Sequence, residues 1–260
     1  MPMSPALFFD LLLSLVFLLP LKDERTGKRF PLMTTGLVVV NTILHVVFHY
    51  LAPTWIGTES WGKLARAFLL TPADVLEGVG LGAASIITST FLHADWGHLL
   101  GNMFFLFFFG RKVEDLIGPW KFVLFYLVCA FFADTASILG GVALPLTQGK
   151  IPSLGASGAI MGVIAAYFFL YSEQRIRTLV ILAILPIPFT LKLPAWVFII
   201  HSVLRDITGS LLQQEAQAMG YLWSLIGFFA HLGGFGAGLV CLYLFLPAEV
   251  LYYRRRTQRL

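Results

Sequence analysis

The sequence predicts an all-α membrane protein, a bundle of six transmembrane helices. Composition, apolar run length and the placement of basic residues each point that way. Of 260 residues, 58% are hydrophobic and only 12% charged, whereas a soluble domain carries roughly 25% charged residues. So little polar surface cannot cover a globule in water. Several apolar runs reach about 20 residues, the length that crosses a bilayer as helix. A membrane β-barrel would instead show short alternating segments.

The N-terminal segment, 1–30, opens MPMSPALFFD. It has neither a basic stretch nor a small-residue cleavage site, so no signal peptide is expected. The run Leu7 to Leu21 contains Asp10 and is too short for a span. It reads as an extra N-terminal interfacial or partly inserted helix. Core spans are expected at 31–51, 90–110, 119–142, 155–171, 192–207 and 221–246. The fourth and fifth are short, as if they begin inside the protein. Between the first two lies a loop with Trp55, Trp61 and the amphipathic SWGKLARAFLL, expected as a structured element at the membrane surface. The stretch Thr178 to Pro194 holds Lys192 and three prolines. It reads as an apolar connector up to Thr190, with the fifth span starting near Lys192. The core ends at 246, and the basic tail 247–260 serves as a topology anchor.

Fourteen of the 18 Lys and Arg fall on one side of this arrangement; Lys63, Arg66, Lys150 and Arg205 fall on the other. The basic side faces the cytoplasm by the positive-inside tendency. The expected location is a multi-pass position in a bacterial inner (plasma) membrane, with both ends of the core cytoplasmic. These clusters explain the net charge of +4 and the pI near 9.1, so no nucleic-acid partner is expected. Cys129 and Cys241 lie in apolar runs and imply no disulfide framework. No internal repeat suggests a transporter.

Polar groups inside spans are expensive and usually functional. His45 and His49 share a helix face, but Val46 stands where a zinc protease needs Glu. They read as histidines of the outer interface. Asp134 lacks the second carboxylate of an aspartyl protease and reads as a hydrogen-bonded polar residue near the outer end of its span. Ser157, in PSLGASGAIMGV, follows a Pro/Gly loop and opens an apolar helix. There the helix N–H groups and dipole can stabilise an oxyanion. Serine is equally a common N-cap, and GASGA departs from the nucleophile-elbow pattern at Ala159.

His231 lies within the sixth span, in AHLGGFGAGL, with Gly234 and Gly238 on its face. Gly158, Gly162 and Ala165 form a matching small stripe beside Ser157. Such stripes permit the close approach a Ser–His hydrogen bond requires, and equally serve simple helix packing. His98 and Asn102 add a donor pair one turn apart on the second span. Nucleophile, base and oxyanion donors on three spans form a set suited to acyl transfer.

These residues resemble the rhomboid intramembrane serine proteases. The resemblance runs through PLKDERTGKRFP, FLHADWGHLLGNM, GRKVEDLIG, GASGAIMGV, LPAW and AHLGGFGAGL, in order, over residues 19–246. It implies a six-helix bundle with Ser157 as nucleophile and His231 as base, a dyad without a third acid. It implies an oxyanion hole of Asn102, His98 and the Gly155 to Ser157 loop. His93, Gly158 and Gly234 would be structural near the site, as would Arg111 and Glu114 in the turn after the second span. Substrates would be single-span or other membrane proteins taken from the lipid bilayer near the fifth span, with no metal or organic cofactor. Three positions depart from some members of the family: Ala84 and Ser85 stand where those carry Trp-Arg, and Met161 where some carry Tyr. The alternatives are a fold-retaining binding protein, which loss of cleavage in Ser157→Ala would exclude, and a channel or transporter, for which repeats or charged residues lining a path would be expected.

Overall fold

The computed structural model describes residues 13, 15–23, 29–143, 149–183, 185–218 and 226–246. Its elements in order are β1 (Val16–Asp23), α1 (Leu32–Val46), α2 (Thr58–Phe68), α3 (Trp96–Ile117), α4 (Pro119–Ala143), α5 (Ser157–Tyr171), β2 (Arg175–Leu182), β3 (Leu185–Pro194), α6 (Ala195–Ala218) and α7 (Ile226–Phe245). Short helical turns fill the segment between α2 and α3.

Six of these helices have 15 residues or more and correspond to the expected spans. Among the described residues, three stretches are long and apolar enough to cross a membrane by themselves: Leu32–Ile56, Pro119–Val142 and Gly227–Phe245. α1 continues through a π-turn at Val47–Leu51 into Ala52–Ile56 and stops at Gly57, where φ is +89°. Its N-terminus is capped from a distance. The buried Glu114 carboxylate accepts from the Met33 and Thr34 N–H groups at 2.9 and 2.8 Å, and from the Thr34 hydroxyl. These are the donors a helix start leaves unpaired.

Several boundaries differ from expectation. α3 starts at Trp96, not near residue 90, because the Asp95 carboxylate caps it by accepting from the His98 N–H at 2.9 Å. It runs on to Ile117, so Arg111 and Glu114 lie in its closing turns and not in a turn after it. α6 continues to Ala218, beyond the expected end at 207. Residues 221–225 of the sixth span and the tail 247–260 lie outside the described residues.

The chain is not all-α. β1, β2 and β3 form an antiparallel sheet in that order. Val16–Asp23, read as part of an N-terminal helix, pairs with β2 (Leu18 opposite Val180), and the expected connector is the β2–β3 hairpin; residues 1–12 lie outside the description. The buried ion pair Lys112 Nζ–Asp23 Oδ1, 3.1 Å, ties β1 to α3. The Tyr167 hydroxyl of α5 donates to the other Asp23 oxygen at 3.5 Å.

α5 is the axis of the bundle, buried from Gly158 to Tyr167. Glycines bring α7 against it: a Cβ at Gly234 would collide with the Gly158 carbonyl, and one at Gly238 with Gly162. A Cβ at Gly162 would sit 2.6 Å from that of Cys129. Phe109, Tyr126, Tyr167 and Phe198 fill the core beneath, with Phe109 edge-on to Tyr167 at 4.9 Å.

Candidate active site

Ser157 is the first residue of α5, and backbone hydrogen bonds hold the loop before it at Ser153 and Gly155. Leu70 and Ser153 exchange two backbone hydrogen bonds, at 3.0 and 2.7 Å. The Gly155 N–H donates to the Ser89 carbonyl at 2.9 Å. The Ser89 hydroxyl in turn donates to the buried Asp134 carboxylate of α4 at 2.8 Å. Asp134 is thus hydrogen-bonded, as expected, and through Ser89 it fixes the approach to the serine.

His231 extends from α7 to Ser157, with Nε2 2.8 Å from Oγ. With Nε2 unprotonated, the serine hydroxyl donates to it. The contact depends on the small residues below, since a Cβ at Gly158 would meet Ala133 Cβ at 2.6 Å and the Ala230 carbonyl at 3.3 Å.

The donor pair arrives from α3. Gly155 has φ +122°, a conformation that suits glycine. A Cβ there would lie 2.8 Å from the His98 ring and 3.6 Å from Asn102 Nδ2. His98 and Asn102 therefore converge on the loop that delivers Ser157. Asn102 is 9% exposed, and its Nδ2 has no hydrogen-bond partner among the described residues. It is a buried donor beside the loop that leads into Ser157.

His93 is buried behind His98, the ring centroids 5.2 Å apart. Its carbonyl accepts from His49 Nε2 at 2.8 Å, and the His45 and His49 rings lie 4.4 Å apart. Trp96 Nε1 donates to the Tyr50 hydroxyl at 2.8 Å. This cluster joins α1 to the start of α3. Met161 lines an apolar cavity of about 30 Å³ with Val203, Phe228, His231, Leu232 and Phe235. Ser85 donates to the Gly82 carbonyl at 2.7 Å in the segment leading to Ser89. Sequence reasoning missed the Ser89 support; its one signal was a carboxylate, Asp134, inside an apolar run.

Residues 82–248 match the family model described as a rhomboid domain, nearly two thirds of the chain. The chain belongs to the rhomboid family. Members of this family are generally intramembrane proteases, and the protein is a membrane protein with transmembrane helices. It is 28% identical over 211 residues to "Rhomboid protein 1, mitochondrial" of Saccharomyces cerevisiae, covering 78% of this chain and 52% of the relative. With human "Presenilin-associated rhomboid-like protein, mitochondrial" the identity is 26% over 200 residues, 77% of this chain and 45% of the relative. With "Rhomboid-like protein 11, chloroplastic" of Arabidopsis thaliana it is 30% over 158 residues, 61% and 51%. The chain spans about half the length of these curated relatives. Their names place them in mitochondria or chloroplasts, and this overturns the expected bacterial inner membrane. Residue charge reports which side of a membrane a loop occupies, not which membrane it is.

Proposed function

We propose that this rhomboid is an intramembrane serine endopeptidase that cleaves membrane protein substrates in or near their transmembrane segments. The observation that carries the reading is the 2.8 Å contact between Ser157 Oγ and His231 Nε2. Attack of Oγ on the scissile carbonyl forms a C–O bond while His231 takes the hydroxyl proton. Collapse breaks the C–N bond, and His231 returns that proton to the leaving amine. A water deprotonated by His231 then attacks the ester, releasing the new carboxylate and restoring the serine.

Asn102 Nδ2, His98 and the Ser157 N–H are the donors to the tetrahedral oxygen, while Gly155, whose own N–H is taken by the Ser89 carbonyl, shapes the loop. His93, Gly158 and Gly234 support the site through packing. All six long helices cross the membrane in this reading, with α5 starting below the surface. The relatives' names support a mitochondrial or chloroplast membrane. Single-span or other membrane proteins are the substrates, reaching the dyad beside α6.

The deciding experiment reconstitutes the protein in liposomes with a fluorescently tagged single-span substrate. Wild type should cut it, and Ser157→Ala and His231→Ala should not. Undiminished cleavage by Ser157→Ala overturns the proposal.

A further inference from the structure

The sheet is amphipathic in a way the helical core does not use. On one face, Leu18, Ile176 and Val180 pack into the core. β3 carries the same face past the helices: Phe189 lies opposite Val180 and Leu191 opposite Thr178, yet they are 39% and 44% exposed. Beside the hairpin turn, Ile187 is 74% exposed. An apolar strip therefore overhangs the bundle.

The opposite face is cationic at the end nearest the helices. Lys22 pairs with Arg177, and Arg177 with Lys192, so a row of cations crosses all three strands. Arg175 lies two residues along on the same face of β2. Like charges set directly opposite disfavour a sheet. Asp23 is turned to the other face and held by Lys112. The arrangement fits a negatively charged surface. Pro188 and Pro194 leave β3 short of backbone donors, which blunts its edge against a further strand and argues against a peptide partner.

The sheet also lies at the opposite end of α5 from Ser157. β2 follows the end of that 15-residue helix, roughly 22 Å long. This is the end where basic residues predominate. The face that carries the cations is itself apolar further along, with Phe17 opposite Ile181 and 46% exposed. Exposed apolar side chains thus lie toward the tip of the sheet and Lys and Arg at the end nearest the helices, a separation found in elements that lie in a membrane interface. Cations at that depth attract anionic lipids.

The geometry points to an anionic-phospholipid binding site on this sheet. Ile187, Phe189 and Leu191 enter the acyl boundary of the leaflet on the basic side, and Lys22, Arg175 and Arg177 hold lipid phosphates. The inference is independent of proteolysis.

The test places an environment-sensitive fluorophore on Ile187→Cys in the full chain; Cys129 and Cys241 are buried. Wild type taken through the same labelling is the blank. Nanodiscs contain phosphatidylcholine alone or with phosphatidylglycerol. With phosphatidylglycerol, the emission should shift to the blue and aqueous iodide should lose access to the label. Inorganic phosphate added to phosphatidylcholine discs should not reproduce the shift. Lys22→Gln/Arg177→Gln should abolish the response, and Lys22→Arg/Arg177→Lys should keep it, with circular dichroism reporting the fold of each. Equal iodide access in both disc types overturns the inference, as does a phosphatidylglycerol response that survives in the folded Gln variant.

Discussion

Replacing Asn102 separates catalysis from packing, because the two roles predict opposite signs for stability. Its Nδ2 is buried and has no hydrogen-bond partner among the described residues. A buried donor without a partner opposes folding by about 1–3 kcal/mol. Asn102→Ala removes that donor, so thermal stability should stay level or rise. During reaction the same amide meets an oxygen gaining charge, and losing one such donor lowers turnover about 10²–10³-fold, or about 2.7–4 kcal/mol. The loss should fall on kcat with KM little changed, since the interaction strengthens only in the transition state. Asn102→Asp keeps the shape but presents an acceptor, and should be at least as impaired. The assay is cleavage of a tagged single-span substrate in liposomes over a range of substrate densities, alongside thermal unfolding. A purely interhelical hydrogen bond, about 0.6 kcal/mol on average in membranes, would give the reverse pattern. A destabilised Asn102→Ala that cuts at the wild-type rate refutes the reasoning.

Gly155→Ala puts a Cβ 2.8 Å from the His98 ring at φ +122°. Displacement of the donors should reduce kcat by about 10²-fold or more, and normal turnover would show that His98 need not stay in place. Asp134→Ala orphans the Ser89 hydroxyl and should lower stability by about 1–3 kcal/mol with a fall in kcat. Asp134→Asn keeps an acceptor and should be milder; equal melting temperatures for Asp134→Ala and wild type would remove the support role. Lys112→Met leaves Asp23 charged and buried, and should cost about 3–5 kcal/mol in detergent denaturation. Lys112→Met/Asp23→Leu should recover much of that, and a double variant as weak as the sum of both singles would exclude a paired role.

The helical bundle and the small set of chemical residues could be read from the chain because their signals are local. A run of about 20 apolar residues is a span whatever surrounds it. A Ser, a His and an Asn inside such runs stand out against a solvent that penalises them. The glycine stripes on α5 and α7 even implied which helices approach closely. Boundaries were less legible: the apolar run before α3 hid the point where Asp95 caps the helix, so its start moved to Trp96. The β-sheet was not legible at all. β1 and the β2–β3 hairpin are apolar and proline-bearing, a composition shared by connectors and interfacial helices, and Leu18 finds its partner in Val180, far along the chain.

The sequence by itself determined which residues lie in apolar surroundings and which of them are chemically exceptional, since transfer free energy and helix period act residue by residue. Only the tertiary structure decided what each polar group holds. Glu114 caps a helix through Thr34, 80 residues away, Asp134 supports the serine loop across 45 residues through Ser89, and Asp23 meets Lys112. A buried polar group must find a partner, but the pairing depends on how helices stack, and no local periodicity encodes that.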